Sequence, residues 1–138
     1  MSGRSFLDTN VFVYAFDTNA PGKAATADRI IKDSLAYKDG VISYQVVQEF
    51  LSVSLRKPSF GVADIRSFLG EVLFPLLEVH TSAGLFEDAL TLQQRYKLSW
   101  YDSLIVAAAL QARCETLYTE DLQHGQRFDS LLVVNPFI

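Results

Sequence analysis

The amino-acid sequence predicts an α/β fold, a single domain over residues 1–138 around a mainly parallel, five-stranded sheet. Three observations carry that expectation. Short apolar runs of strand length alternate with longer segments whose apolar residues recur at helical spacing, the signature of parallel strands joined by helices. Residues that favour caps and turns stand at the joins. The chain has 138 residues, 49% hydrophobic and 20% charged, enough to bury roughly two-thirds of its unfolded surface around one core.

Phe6-Leu7 is the end of a buried first strand, and Asp8-Thr9-Asn10 turn the chain into a short helix. Pro21 sits at a first helical position, and the helix runs to about residue 37 through Ala27, Ile30, Ile31 and Leu35, with Gly40 expected to end it. Val41-Ile42-Ser43 is the second strand, and Ser43 is placed to cap the helix 44–55. Lys57-Pro58 stops that helix. A helix over 62–74 leads to a third strand over 76–80. Two helices follow, 82–96 and 100–113. The second holds Leu104-Ile105-Val106-Ala107-Ala108-Ala109-Leu110, apolar all round and therefore central. Thr116-Leu117-Tyr118 and residues 131–134 are the fourth and fifth strands.

Composition excludes several classes. One cysteine, Cys114, rules out an intramolecular disulfide and fits a reducing compartment. No apolar run approaches the roughly 20 residues of a membrane span, and Asp8 interrupts any leader core. The expected location is the cytoplasm. The net charge of −4 argues against a simple basic nucleic-acid binder, but not against an enzyme whose carboxylates are offset by cations.

In parallel sheets, ligands bind beyond the carboxyl ends of the strands. Four acids fall there. Asp8 follows the first strand and Asp121 the fourth. Glu49 lies on the helix leaving the second strand, and Asp102 opens the helix before the fourth. Gathered like charges are costly unless something positive sits between them, and hard oxygen ligands suit Mg2+ or Mn2+. Read singly, each acid also has a structural role: Asp8 as a cap, Glu49 as helix surface, Asp102 in the capping pattern Ser99-x-x-Asp102, Asp121 as a turn residue. Asn10 and Thr119 could orient ligands or water, or serve as ordinary turn residues. A haloacid-dehalogenase-like phosphatase would need a second Asp where Asn10 stands.

The sequence resembles the PIN-domain family, and within it the VapC-type toxins of toxin–antitoxin pairs. The likeness runs along nearly the whole chain. It is carried by Phe6-Leu7-Asp8-Thr9-Asn10-Val11, by residues 43–50 ending in Gln48-Glu49-Phe50, by Ser99-Trp100-Tyr101-Asp102 with the apolar helix behind it, and by Leu117-Tyr118-Thr119-Glu120-Asp121-Leu122. The resemblance implies a three-layer α/β/α sandwich. It also implies a ribonuclease dependent on Mg2+ or Mn2+ that cuts single-stranded RNA, frequent homodimers, and inhibition by a cognate antitoxin. It maps the four catalytic and metal-binding acids to Asp8, Glu49, Asp102 and Asp121, with Glu120 adjacent as the rival for the last place. The alternatives are a PIN-like RNA-processing nuclease that is not a toxin and a non-catalytic binding module. Phosphate contacts are expected from among Arg4, Lys23, Arg56, Lys57, Arg95, Lys97 and Arg127, and base stacking from among Tyr14, Phe16, Tyr44 and Trp100.

Overall fold

The computed structural model describes residues 3–138, so the domain assignment's residues 1 and 2 lie outside the described residues. Its elements are β1 (Ser5–Leu7), α1 (Thr9–Phe16), α2 (Pro21–Tyr37), β2 (Gly40–Ser43), α3 (Tyr44–Ser54) and α4 (Val62–Phe68). A π-helical turn, Leu69–Leu73, then leads into α5 (Phe74–Leu76). The chain continues through β3 (Leu77–Val79), α6 (Ala83–Tyr96), α7 (Trp100–Gln111), β4 (Thr116–Tyr118), β5 (Arg127–Phe128) and β6 (Leu131–Val134).

The strands form one sheet in the order β3-β2-β1-β4-β6-β5. Every pairing is parallel except β5 against β6. Successive strand residues point to opposite faces. Phe6 and Leu7 are both buried, as are Val41 and Ile42, so both faces of the sheet centre are covered by helices. This is the expected three-layer α/β/α sandwich, with a sixth strand added. That strand is two residues long in a polar stretch, too short to leave a periodic trace.

The apolar face of each helix decides how it sits. Helix α7 is buried from Ser103 to Ala109, and its small Ala107-Ala108-Ala109 run lets neighbours approach closely. Helix α6 buries only Leu85 and Ala89, leaving Phe86 and Leu90 exposed despite their helical spacing. Phe16, Phe50, Phe60 and Phe68 cluster edge-on or stacked and join α1, α3 and α4. Phe16 is thereby a packing residue rather than a base-stacking one. Burial pushes the Cys114 thiol up to about 11, which keeps it protonated and unreactive.

Two joins differ from their expected chemistry. Helix α2 ends at Lys38, in the left-handed conformation with φ 56°, and not at Gly40. Gly40 is instead the first residue of β2, pressed against α2: a Cβ there would lie 2.4 Å from the Cβ of Ser34. Ser43 does occupy the N-cap position of α3, but its hydroxyl makes no capping bond. The helix expected over 62–74 is likewise interrupted by the π-helical turn.

Gly40→Ala should therefore destabilise the fold by about 1–3 kcal/mol, because two backbone-anchored carbons cannot share that space without moving β2 or α2. Urea denaturation with an unchanged m-value measures this.

Candidate active site

The β1–β4 ladder carries Asp8 to the carboxyl edge of the sheet. Phe6 pairs with Leu117 and Leu7 with Tyr118, and the Asp8 N–H then donates to the Tyr118 carbonyl at 3.0 Å. The chain turns there into α1, with Asp8 as N-cap. The carboxylate is buried, 5% exposed. Its Oδ1 accepts from the Thr9 N–H and its Oδ2 from the Thr119 hydroxyl, both at 2.7 Å. Burial pushes its pKa up to about 7; the two hydrogen bonds oppose the rise, and the charges of Asp121 and Glu49 add to it.

Thr119 works in two directions. Its hydroxyl proton goes to Asp8, and its oxygen accepts the Asp121 N–H at 3.1 Å. Thr119 itself is fixed by its own N–H, which donates to the Val134 carbonyl at 3.1 Å. The strand ends of β1, β4 and β6 thus hold one another in place around two carboxylates.

Glu49 arrives from α3. The Thr9 hydroxyl donates to its Oε1 at 2.7 Å, so consecutive groups of Thr9 grip Asp8 and Glu49. Glu49, Ser52, Val53 and Arg56 lie at helical spacing and form one wall of a cleft of about 320 Å³. Asp8, Thr9, Asn10 and Asp121 line the rest.

Asp102 stands beside the cleft rather than in its wall. It is half-buried in the first turn of α7, where its N–H donates to the Ser99 hydroxyl at 3.1 Å. The Asp121 pKa is raised by partial burial first and then by Asp102, Glu120 and Glu49. Asp121 reaches solvent as a residue while its carboxylate remains within the field of the others.

Glu120 is engaged elsewhere. Its Oε1 accepts from Asn10 Nδ2 at 3.2 Å and from the Tyr14 hydroxyl at 2.6 Å, with Lys23 Nζ 3.6 Å from Oε2. Asp121, not Glu120, therefore lines the cleft. Asn10 also lines it, but its amide steadies Glu120 and none of the four acids. Of the candidate phosphate contacts, Arg56 lines the cleft, braced on the Ser52 carbonyl at 2.8 Å. Lys57 pairs with Asp17, Arg4 with Glu78 and Lys23 with Glu120. Tyr14, held by Glu120 and Lys23, is tied up in the same way.

The chemistry of the donors suits a hard divalent cation: four carboxylates, one of them deeply buried, each close enough to disfavour its neighbours' charge. Among the described residues, no three His, Cys, Asp or Glu side chains already stand as a set that would hold an ion. Three of the carboxylate oxygens are instead held by Thr9 and Thr119. Thr9 had no signal in the sequence beyond turn chemistry, because its bond to Glu49 spans 40 positions.

The family model of the PIN domain matches residues 5–127, and the chain belongs to the PIN-domain family. Comparison with curated protein sequences gave no match. Among solved structures, the chain is similar to a toxin–antitoxin complex from Klebsiella pneumoniae, with 20% identity, a TM-score of 0.70, and coverage of 96% of this chain and 98% of that one. It is also similar to VapC20 of Mycobacterium tuberculosis, described as a sarcin–ricin-loop-cleaving toxin, with 21% identity, a TM-score of 0.64, and coverage of 85% and 89%. FitAcB from Neisseria gonorrhoeae gives 21% identity, a TM-score of 0.66, and coverage of 96% and 97%. At these identities the likenesses establish the fold.

The raised Asp8 pKa sets a pH test. Between the ordinary value of 3.8 and about 7, the folded protein retains a proton that the unfolded chain releases. The associated stability is complete at acid pH and is lost as pH rises through about 7. Asp8→Asn, which keeps a cap and removes the charge, should equal wild type near pH 4. In EDTA at pH 8 it should exceed wild type by about 2 kcal/mol or more. Urea unfolding at the two pH values measures the difference.

Proposed function

We propose that this chain is a divalent-metal-dependent endoribonuclease, the toxin of a toxin–antitoxin pair, acting in the cytoplasm on RNA. The observation that carries the reading is the cleft at the carboxyl edge of the sheet, where Asp8, Glu49 and Asp121 meet with Asp102 beside them. PIN-family membership supports the hydrolase class. The toxin–antitoxin complex among its structural neighbours supports a cognate antitoxin as partner. A homodimer accords with the same family.

Mg2+ or Mn2+ would be held by Asp8 and Asp102, with Glu49 and Asp121 completing the site. When bound, the ion offsets the gathered negative charge, polarises the phosphodiester and lowers the pKa of water. The chain's own groups do the positioning. Arg56 draws a phosphate towards an otherwise acidic cleft. Oε2 of Glu49, which has no hydrogen-bond partner among the described residues, orients the attacking water. Water attacks phosphorus in line and releases a proton to solvent, the bond from phosphorus to the 3′ oxygen breaks, and that oxygen takes up a proton from solvent. The products carry a 5′ phosphate and a 3′ hydroxyl. Thr119 and Thr9 contribute by fixing carboxylates that would otherwise repel one another apart.

Purified protein incubated with single-stranded and structured RNAs should cleave with Mg2+ or Mn2+ and be silent in EDTA. Asp8→Asn and Asp102→Asn should each abolish cleavage while leaving the circular dichroism spectrum unchanged. Retained cleavage in both variants would remove the assignment. Thr119→Val should keep the fold and lower activity roughly 10- to 100-fold, the usual effect of losing a group that orients a ligand.

A further inference from the structure

A second pocket opens beside the carboxylate cleft, between α3, α6 and α7, with a volume of about 330 Å³. Its lining includes Ser43, 3% exposed, whose buried Oγ has no hydrogen-bond partner among the described residues. The hydroxyl makes no capping bond to α3. Trp100 and Phe86 form an aromatic wall, their rings 6.3 Å apart and tilted by 43°. Gln45 and Gln48 also line it. The Gln45 amide nitrogen is spent on the Tyr101 carbonyl at 3.2 Å, which leaves its oxygen to accept.

We propose that this pocket takes one unpaired nucleobase of the RNA substrate, an inference that rests on the ribonuclease reading. Four observations converge. No lining residue is charged, which suits a base and not a phosphate. The pocket offers an aromatic surface together with both donors and acceptors, the combination that reads a splayed-out base. Its volume is at the small end of ligand pockets, which suits a single small planar group. Finally, it continues the catalytic wall. Gln45 and Glu49 lie one turn apart on α3, about 6 Å along the axis, and Tyr101 adjoins Asp102. A base held here places its neighbouring phosphate towards the acids.

Trp100 is the only tryptophan in the chain, so its emission reports on this pocket directly. Asp8→Asn protein with Mg2+ would be titrated with an eight-nucleotide single-stranded RNA of mixed sequence and with an abasic oligomer of the same length. The expected result is a change in Trp100 emission with the RNA and none with the abasic strand. Phe86→Ala and Gln48→Ala, both at exposed positions, should weaken RNA binding roughly fivefold or more in the same background. With Asp8 intact, they should also alter the spectrum of cleavage sites. Wild-type cleavage accompanied by unchanged Trp100 emission would overturn the pocket and leave the ribonuclease standing. Emission that follows protein concentration alone would mean that a second copy covers the pocket, and would also overturn the proposal. Neither cleavage nor RNA binding would remove the ribonuclease reading and the base pocket together.

Discussion

The architecture turns on a buried carboxylate at the end of β1. Asp8 is tied by its backbone to β4, by one oxygen to the start of α1 and by the other to Thr119. Burial and neighbouring acids disfavour its charge, and those ties hold it in place regardless. A group placed at such cost, in a cleft at the strand ends, is the local conflict on which the proposed function rests. The parallel register of β1 with β4 creates it: a slip of one residue would point Asp8 to the other face and leave Thr119 without its acceptor.

The remaining elements bring further groups to that point. Helix α3 supplies Glu49 and the turn just beyond its end supplies Arg56, while α7, buried along most of its length, holds Asp102 in its first turn. Rigid elements position these side chains better than mobile loops would. Asp121 comes from a turn, yet its backbone is fastened to Thr119, so it shares the rigidity of β4.

Much of this was legible in the sequence, for identifiable reasons. Five of the six strands are short apolar runs, and α7 declares its burial through unbroken apolar residues from Leu104 to Leu110. The four acids could be placed because strand ends in a parallel sheet share one edge. What escaped were facts of contact between distant residues. Gly40 reads as a helix stop, but its reason is the approach of Ser34. Ser43 reads as a cap, but its hydroxyl finds no partner among the described residues. The choice between Glu120 and Asp121 could not be made from adjacency; Asn10, Tyr14 and Lys23 decide it by drawing Glu120 away. The π-helical turn at Leu69–Leu73 has no marker that spacing alone reveals.

The outer strands of the sheet carry a consequence for how this protein meets others. β3 is three residues long and bears the exposed, Arg4-paired Glu78; β5, at the opposite edge, is two residues long. Neither offers enough free backbone to seed a ladder with a foreign chain. Edge-to-edge polymerisation is thereby discouraged even at high concentration. Strand addition at either margin is thereby disfavoured, and side chains on the helices and loops are the better-suited means of recognising a protein partner.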